Sequence, residues 1–159
     1  MSNEVHIDRL QIVELLSRYF GSIDDKRLDL AVVQATFTMG GRLVRPNGAA
    51  HVGVENIFAT QSESFARFRA THHVTSDHIV DVHGDTASLR ANMTAMHLWS
   101  QEKCDPMSLQ THFVAGSVVR ASAVRTPEGW RFSELGVRVA WRTGDGLLQM
   151  GLAMDRQKQ

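Results

Sequence analysis

The stretch "THHVTSDHIVDVHGDTASLRANMTAMH", residues Thr71 to His97, decides how this chain folds. Period-two alternation runs through it, which is the signature of β-strand and not of helix. Val74–Val82 reads as a strand, His83-Gly84-Asp85 as a turn, and Thr86–Trp99 as a long second strand. It also carries five of the chain's eight histidines: His72, His73, His78, His83 and His97.

Working downstream, "QEKCDPM" reads as a loop, residues 109–125 as a third long strand, and "TPEG" as a turn. The closing strand is "WRFSELGVRVAW", with Gly136 as its expected bulge. "DRQKQ" reads as a frayed tail. Upstream, residues 5–23 place Leu10, Val13, Leu16, Phe20 and Ile23 at helical spacing, with Ile12, Leu15 and Tyr19 widening the stripe. Asp24 or Asp25 is the expected cap of a second helix within "KRLDLAVVQATF". "TMGGRLVRPNGAAHVG" reads as short strands joined by a Pro-Asn-Gly turn. Helical spacing returns after Gly53 through Ile57, Phe58, Phe65 and Phe68.

Helices first and then a run of hairpin-linked strands predict an α+β fold as one domain over residues 1–159. The helices would cover one face of a strongly curved, mostly antiparallel sheet of about five or six strands, leaving a pocket for a small molecule. The uncovered face, with Val118, Val124, Val137 and Val139, would seek a second copy, so a homodimer or homotrimer is expected.

Composition excludes several classes. Seventeen basic and seventeen acidic residues cancel, and no Lys/Arg run restores a nucleic-acid footprint. The lone Cys104 lacks a Cys-x-x-Cys context and reads as a bystander thiol. "MSNEVHIDRL" has no basic segment leading into an apolar one, and no apolar run approaches the roughly 20 residues a bilayer requires. The expectation is a cytoplasmic protein without membrane contact.

Metal binding by the clustered histidines conflicts with strand geometry. His72 and His78 share a face but lie about 20 Å apart along an extended strand, and His73 points away from His78. No metal and no cofactor are expected. His97 falls on the apolar face of Ala87, Leu89, Ala91, Met93 and Ala95. It is either a core histidine bonded to backbone or a pocket imidazole suited to proton transfer. With a three-residue hairpin loop, His73 opposes Ala95 and lies diagonally about 7–8 Å from His97. A two-residue loop turns Val74, Val80 and Val82 inward, which hydrophobicity slightly favours, and brings His72 to that face instead. A bulge between would satisfy both. Asp24 ends the first helix, where a carboxylate opposes the macrodipole, and beside a pocket it could orient an imidazole.

"IVELLSRYFGSIDDKRLDLAVVQATF", the Thr71–His97 stretch and "VRTPEGWRFSELGVRVAW" together resemble the SnoaL-like group of the nuclear transport factor 2-like superfamily. The resemblance covers about residues 7–142 and rests on three features. They are Tyr-x-x-x-x-Asp at the end of the first helix, Thr-His-His before a Gly-Asp turn, and the Arg-Thr-x-x-Gly-Trp hairpin. It implies a cone-shaped α+β barrel. Its functional pattern is similar to scytalone dehydratase, which implies Asp24, His73 and His97 as catalytic residues and selects the register that places His73 beside His97. Ile23 stands where that enzyme has a tyrosine, and Tyr19 is the only tyrosine, so scytalone itself is not the expected substrate.

The expected activity is therefore a cofactor-independent lyase or isomerase using His/Asp acid-base chemistry on a small cyclic, apolar or aromatic molecule. Tyr19, Met93, Phe113, Val119, Trp130 and Phe132 are its expected lining. Three alternatives accompany it: a non-catalytic binding or assembly domain like a ring-hydroxylating dioxygenase small subunit; a dehydrochlorinase-like elimination; and hydrolysis of a small ring. Arg125 would stabilise the leaving halide in the second, although its plainer reading is a solvated hairpin residue. Asp77 would face Asp24 in the third.

Overall fold

The computed structural model describes residues 2–100 and 112–144. Cys104, its loop, the first residues of the expected third long strand and the "DRQKQ" tail lie outside them. In chain order the elements are α1 (Asn3–Asp24), α2 (Leu30–Thr36), β1 (Phe37–Val44), β2 (Ala50–Val52), α3 (Val54–Phe65), β3 (Phe68–His83), β4 (Thr86–Trp99), β5 (His112–Thr126) and β6 (Gly129–Gly144). The strands form one six-stranded sheet in the order β2-β1-β6-β5-β4-β3. Only the β1–β6 pairing is parallel. The α+β expectation holds, with a mixed sheet.

α1 is held by Asp8, Ile12, Leu16, Tyr19, Phe20 and Ile23, which are buried at the three- and four-residue spacings of a single helix face. Leu10, expected on the stripe, is 70% exposed. Two residues from both Asp8 and Ile12, it lies about 200° around the helix and faces outward. The second helix starts later than expected: Asp29, not Asp24 or Asp25, caps α2 by accepting from the Val32 amide at 2.8 Å. The residues between form a turn with Lys26 at φ 55°. Phe68 belongs to β3, not to the third helix, because α3 ends at Phe65.

The β3–β4 hairpin resolves the open register. Its loop is the two residues Gly84 and Asp85, so His83 pairs with Thr86, Val82 with Ala87 and Val80 with Leu89. A bulge then places Asp77 and His78 opposite the single residue Ala91, and beyond it Ser76 pairs with Asn92 and His73 with Ala95. Asp77 takes φ 51° there and accepts from Asn92 Nδ2 at 2.9 Å. The side chain that was to face Asp24 is thus committed to the bulge. Val80 and His73 both turn inward on one strand.

β6 changes parity twice by the same device. Register shifts leave Ser133 and Ala140 without partners, whereas Gly136 pairs normally with Arg120 and Val44. The inward row consequently runs Trp130, Phe132, then Leu135, Val137, Val139, then Arg142. Val137 and Val139, expected on the outer face, pack inward against the core. That outer face instead exposes Val74, Met96 and Trp141.

At the end of the sheet where β5 turns into β6, buried Asp8 accepts from Arg125 Nη1 and Nη2, both at 2.8 Å, and from Trp130 Nε1 at 3.0 Å. The Arg125 guanidinium also lies 4.6 Å over the Trp130 ring and bonds Asp85. This clamp ties the start of α1 to the β5–β6 turn: Arg125 is an exposed hairpin residue, as its plainer reading had it, but a paired one, and it does not line the pocket. Asp8→Ala strands the buried indole N–H and is expected to lower stability by about 1–3 kcal/mol, measured by urea unfolding.

Candidate active site

Between α1, α3 and the concave face of the sheet lies a cavity of about 140 Å³, lined largely by apolar side chains such as Phe20, Phe65, Phe68, Met93 and Phe113. His73 and His97 both stand on its wall. Asp24, the last residue of α1, reaches His73 from behind. Its Oδ1 accepts from His73 Nδ1 at 2.6 Å and from Thr71 Oγ1 at 2.8 Å, while its Oδ2 accepts from the His73 backbone N–H at 2.8 Å. The carboxylate that opposed the helix macrodipole is stabilised by these donors.

Burial raises the Asp24 pKa, but the hydrogen bonds from the His73 ring and amide, the His73 charge and the Thr71 hydroxyl outweigh it and hold the carboxyl below its usual range. An ionised Asp24 can only accept, so Nδ1 carries the hydrogen of that bond, and in a neutral ring the lone pair then sits on Nε2. The ring is fixed by stacking on Phe20, with centroids 5.0 Å apart, and by an edge contact with Phe65. Only 3% of the His73 side-chain surface is exposed.

His97 approaches His73 edge-on, with ring centroids 5.7 Å apart, and stacks on Phe113 at 4.1 Å. Its Nδ1 is buried without a hydrogen-bond partner, so this is not a core histidine satisfied by backbone at that nitrogen. Burial, with the neighbouring His73 and Arg142 charges, pushes its pKa down to about 3, although the Phe113 backbone and Asp24 act the other way. At neutral pH His97 is an uncharged imidazole.

Met93 and Phe113 line the cavity as expected. Tyr19, Val119, Trp130 and Phe132 do not: each is at most 3% exposed and serves the core. Tyr19 accepts from Gln61 Nε2 at 2.7 Å, and it is Gln61 that reaches the cavity. Trp130 belongs to the Asp8 clamp. Sequence reasoning also passed over Thr71, whose signal was its place two residues before His73 on the same strand face. Among the described residues, no three His, Cys, Asp or Glu side chains are placed to share a metal ion. No described helix is long and apolar enough to cross a membrane.

The family model for the SnoaL-like domain matches residues 5–136, and the chain belongs to that family. Solved structures share the fold at low identity. The Kfla4162 protein from Kribbella flavida is 24% identical with a TM-score of 0.77, over 87% of this chain and 95% of that one. A candidate scytalone dehydratase from Novosphingobium aromaticivorans is 17% identical with a TM-score of 0.78, over 92% and 93%. A nuclear transport factor 2-like superfamily protein from Salmonella enterica serovar Typhimurium is 16% identical with a TM-score of 0.73, over 89% and 97%. No curated protein matches the sequence significantly.

Proposed function

We propose that this chain is a cofactor-independent lyase or isomerase of the dehydratase type, with Asp24, His73 and His97 as its working groups. The observation that carries the reading is the 2.6 Å contact between Asp24 and His73 Nδ1, which leaves Nε2 as the nitrogen available to a ligand in the cavity. That nitrogen takes a proton from carbon next to a carbonyl, and the electron pair moves into a carbon–carbon double bond as the carbonyl oxygen gains charge. His97, held neutral, donates a hydrogen bond to that oxygen. The imidazolium at His73, stabilised by Asp24, then returns its proton. Return to a departing hydroxyl completes a dehydration, and return to another carbon completes an isomerisation. The family and its dehydratase-named structural neighbours agree with this chemistry.

A panel of small cyclic ketones in deuterium oxide tests it, with deuterium incorporation at the α-carbon followed by NMR. Exchange that depends on the intact protein and on His73 supports the reading. A panel that binds in the cavity yet shows no exchange above background leaves a binding module instead.

We further propose that the chain pairs with a second copy through its outer sheet face, where Val74, Met96 and Trp141 are exposed and Trp141 covers Gly116. Light scattering at micromolar concentration should give a dimer or trimer mass. Trp141→Lys should reduce it to the monomer, and a monomeric wild-type protein would end the idea.

A further inference from the structure

Three arginines line the cavity: Arg45 just after β1, Arg67 just before β3, and Arg142 near the end of β6. Among the described residues, no carboxylate side chain lines it. An apolar pocket gains nothing from cations in its own wall, since each loses hydration there. All three are half-buried. Burial acts against the charges of Arg45 and Arg67, and the Arg67 charge adds to the pressure on Arg45; Glu63, outside the lining, offsets this in part.

The register shows how Arg142 comes to be there. One row of the sheet runs His73, Ala95, Ala115, Arg142 across β3, β4, β5 and β6, and all four residues line the cavity. The unpartnered Ala140 flips β6 so that Arg142 points in and Trp141 points out. Two alanines in the middle of the row leave the hollow, with a base at one end and a guanidinium at the other. Three strand spacings separate the end backbones by about 14 Å, and both side chains reach inward. The gap matches one ring carrying a short acidic arm. A guanidinium fork suits an oxyanion held through two parallel hydrogen bonds.

We propose that the cavity takes a small cyclic or aromatic carboxylic acid, its carboxylate held by Arg142 with Arg45 and Arg67 on the facing wall. The site names the substrate class of the proposed lyase or isomerase, and in that respect rests on that reading: the carboxylate sets the ligand so that its far carbon meets His73. His97 stands on the same wall, close to where the ligand's other oxygen would lie.

The test uses benzoate, phenylacetate and 3-phenylpropanoate, each beside its uncharged primary amide, titrated into the full chain by calorimetry. Shifts of the histidine ring signals are followed in parallel by NMR. At least one acid should bind roughly tenfold or more tighter than its amide, and the margin should shrink with added salt. Arg142→Gln and Arg45→Gln, each checked for an unchanged folded spectrum, should reduce that margin by weakening the acid more than the amide. Should Arg142→Gln fail to fold, the acid-to-amide ratio and its salt dependence in the unaltered protein decide. Equal binding of acids and amides, no binding by any acid at millimolar concentration, or a margin unchanged in both arginine variants overturns the proposal. Acids that bind with the full margin but leave the His73 signals unmoved would support the anion site and count against the lyase reading.

Discussion

His73→Ala should lower the rate of α-deuteration, and of turnover on any substrate so found, by roughly 10²–10⁴-fold. The size follows from what the ring does. Among the described residues it is the one group on the cavity wall with both a ring nitrogen turned from its partner and a carboxylate behind it, whereas the His97 pKa is pushed down to about 3. A base of that strength has little affinity for a proton near neutrality. Asp24→Asn should also slow the reaction, because the amide can still accept from Nδ1 but no longer stabilises the imidazolium. Loss of fold has to be separated from loss of chemistry, since Asp24 accepts three hydrogen bonds. Rates are therefore compared well below each variant's melting temperature. Added imidazole supplies the decisive readout. It can occupy the gap that His73→Ala opens between Phe20, Phe65 and Asp24 and restore part of the rate. A structural role would show no such rescue, and a variant as fast as the unaltered protein removes His73 from the mechanism.

How far the site could be read from residues alone depends on which side of a bulge each group falls. His97 lies within β4, which has no bulge of its own, so simple alternation from Ala87 placed it inward. His73 lies beyond the Asp77–His78 bulge, and alternation from the Gly84-Asp85 turn assigns the wrong face to it. Nothing local announces that bulge, because Asp77 adopts φ 51° without being glycine and is held there by Asn92 on the neighbouring strand. The family resemblance pointed to the pairing of His73 with Ala95, which the bulge restores, although the three-residue loop tied to that register gives way to a two-residue one. In β6 the one glycine that suggested a bulge, Gly136, is regular and pairs with Arg120 and Val44. The shift at Ser133 reversed the faces of Val137 and Val139, and the shift at Ala140 reversed the strand again, so Arg142 keeps the inward face that alternation from Trp130 gives it. Arginines look like surface residues in any sequence. Their convergence is a tertiary fact, and so is the removal of Arg125 to the Asp8 clamp.

Acid should unfold this protein earlier than its carboxylates alone would require, and His97 is the reason. A histidine in the unfolded chain titrates near 6.5, whereas His97 in the folded protein holds its proton only below about 3. Between those values the unfolded state binds a proton that the folded state does not. Stability linked to this group is therefore complete above about pH 6.5, falls as pH drops through that value, and levels off only near pH 3. The slope from one such group is roughly 1.4 kcal/mol per pH unit, so about 2 kcal/mol is lost between pH 6 and 4.5. Asp24 and Asp8 act in the same direction but over a lower range. Their folded pKa values are depressed, so their contribution is present above the unfolded carboxylate range near 4 and disappears beneath it. The two contributions can be told apart. Urea unfolding at half-unit steps from pH 7.5 to 4.5 should show the decline in the unaltered protein. His97→Gln should flatten it above pH 5 while leaving the steeper loss below pH 4. If the unaltered protein is equally stable at pH 7 and 5, or if the substitution leaves the slope unchanged, then His97 is not the buried neutral imidazole that the proposed hydrogen bond to a substrate oxygen requires.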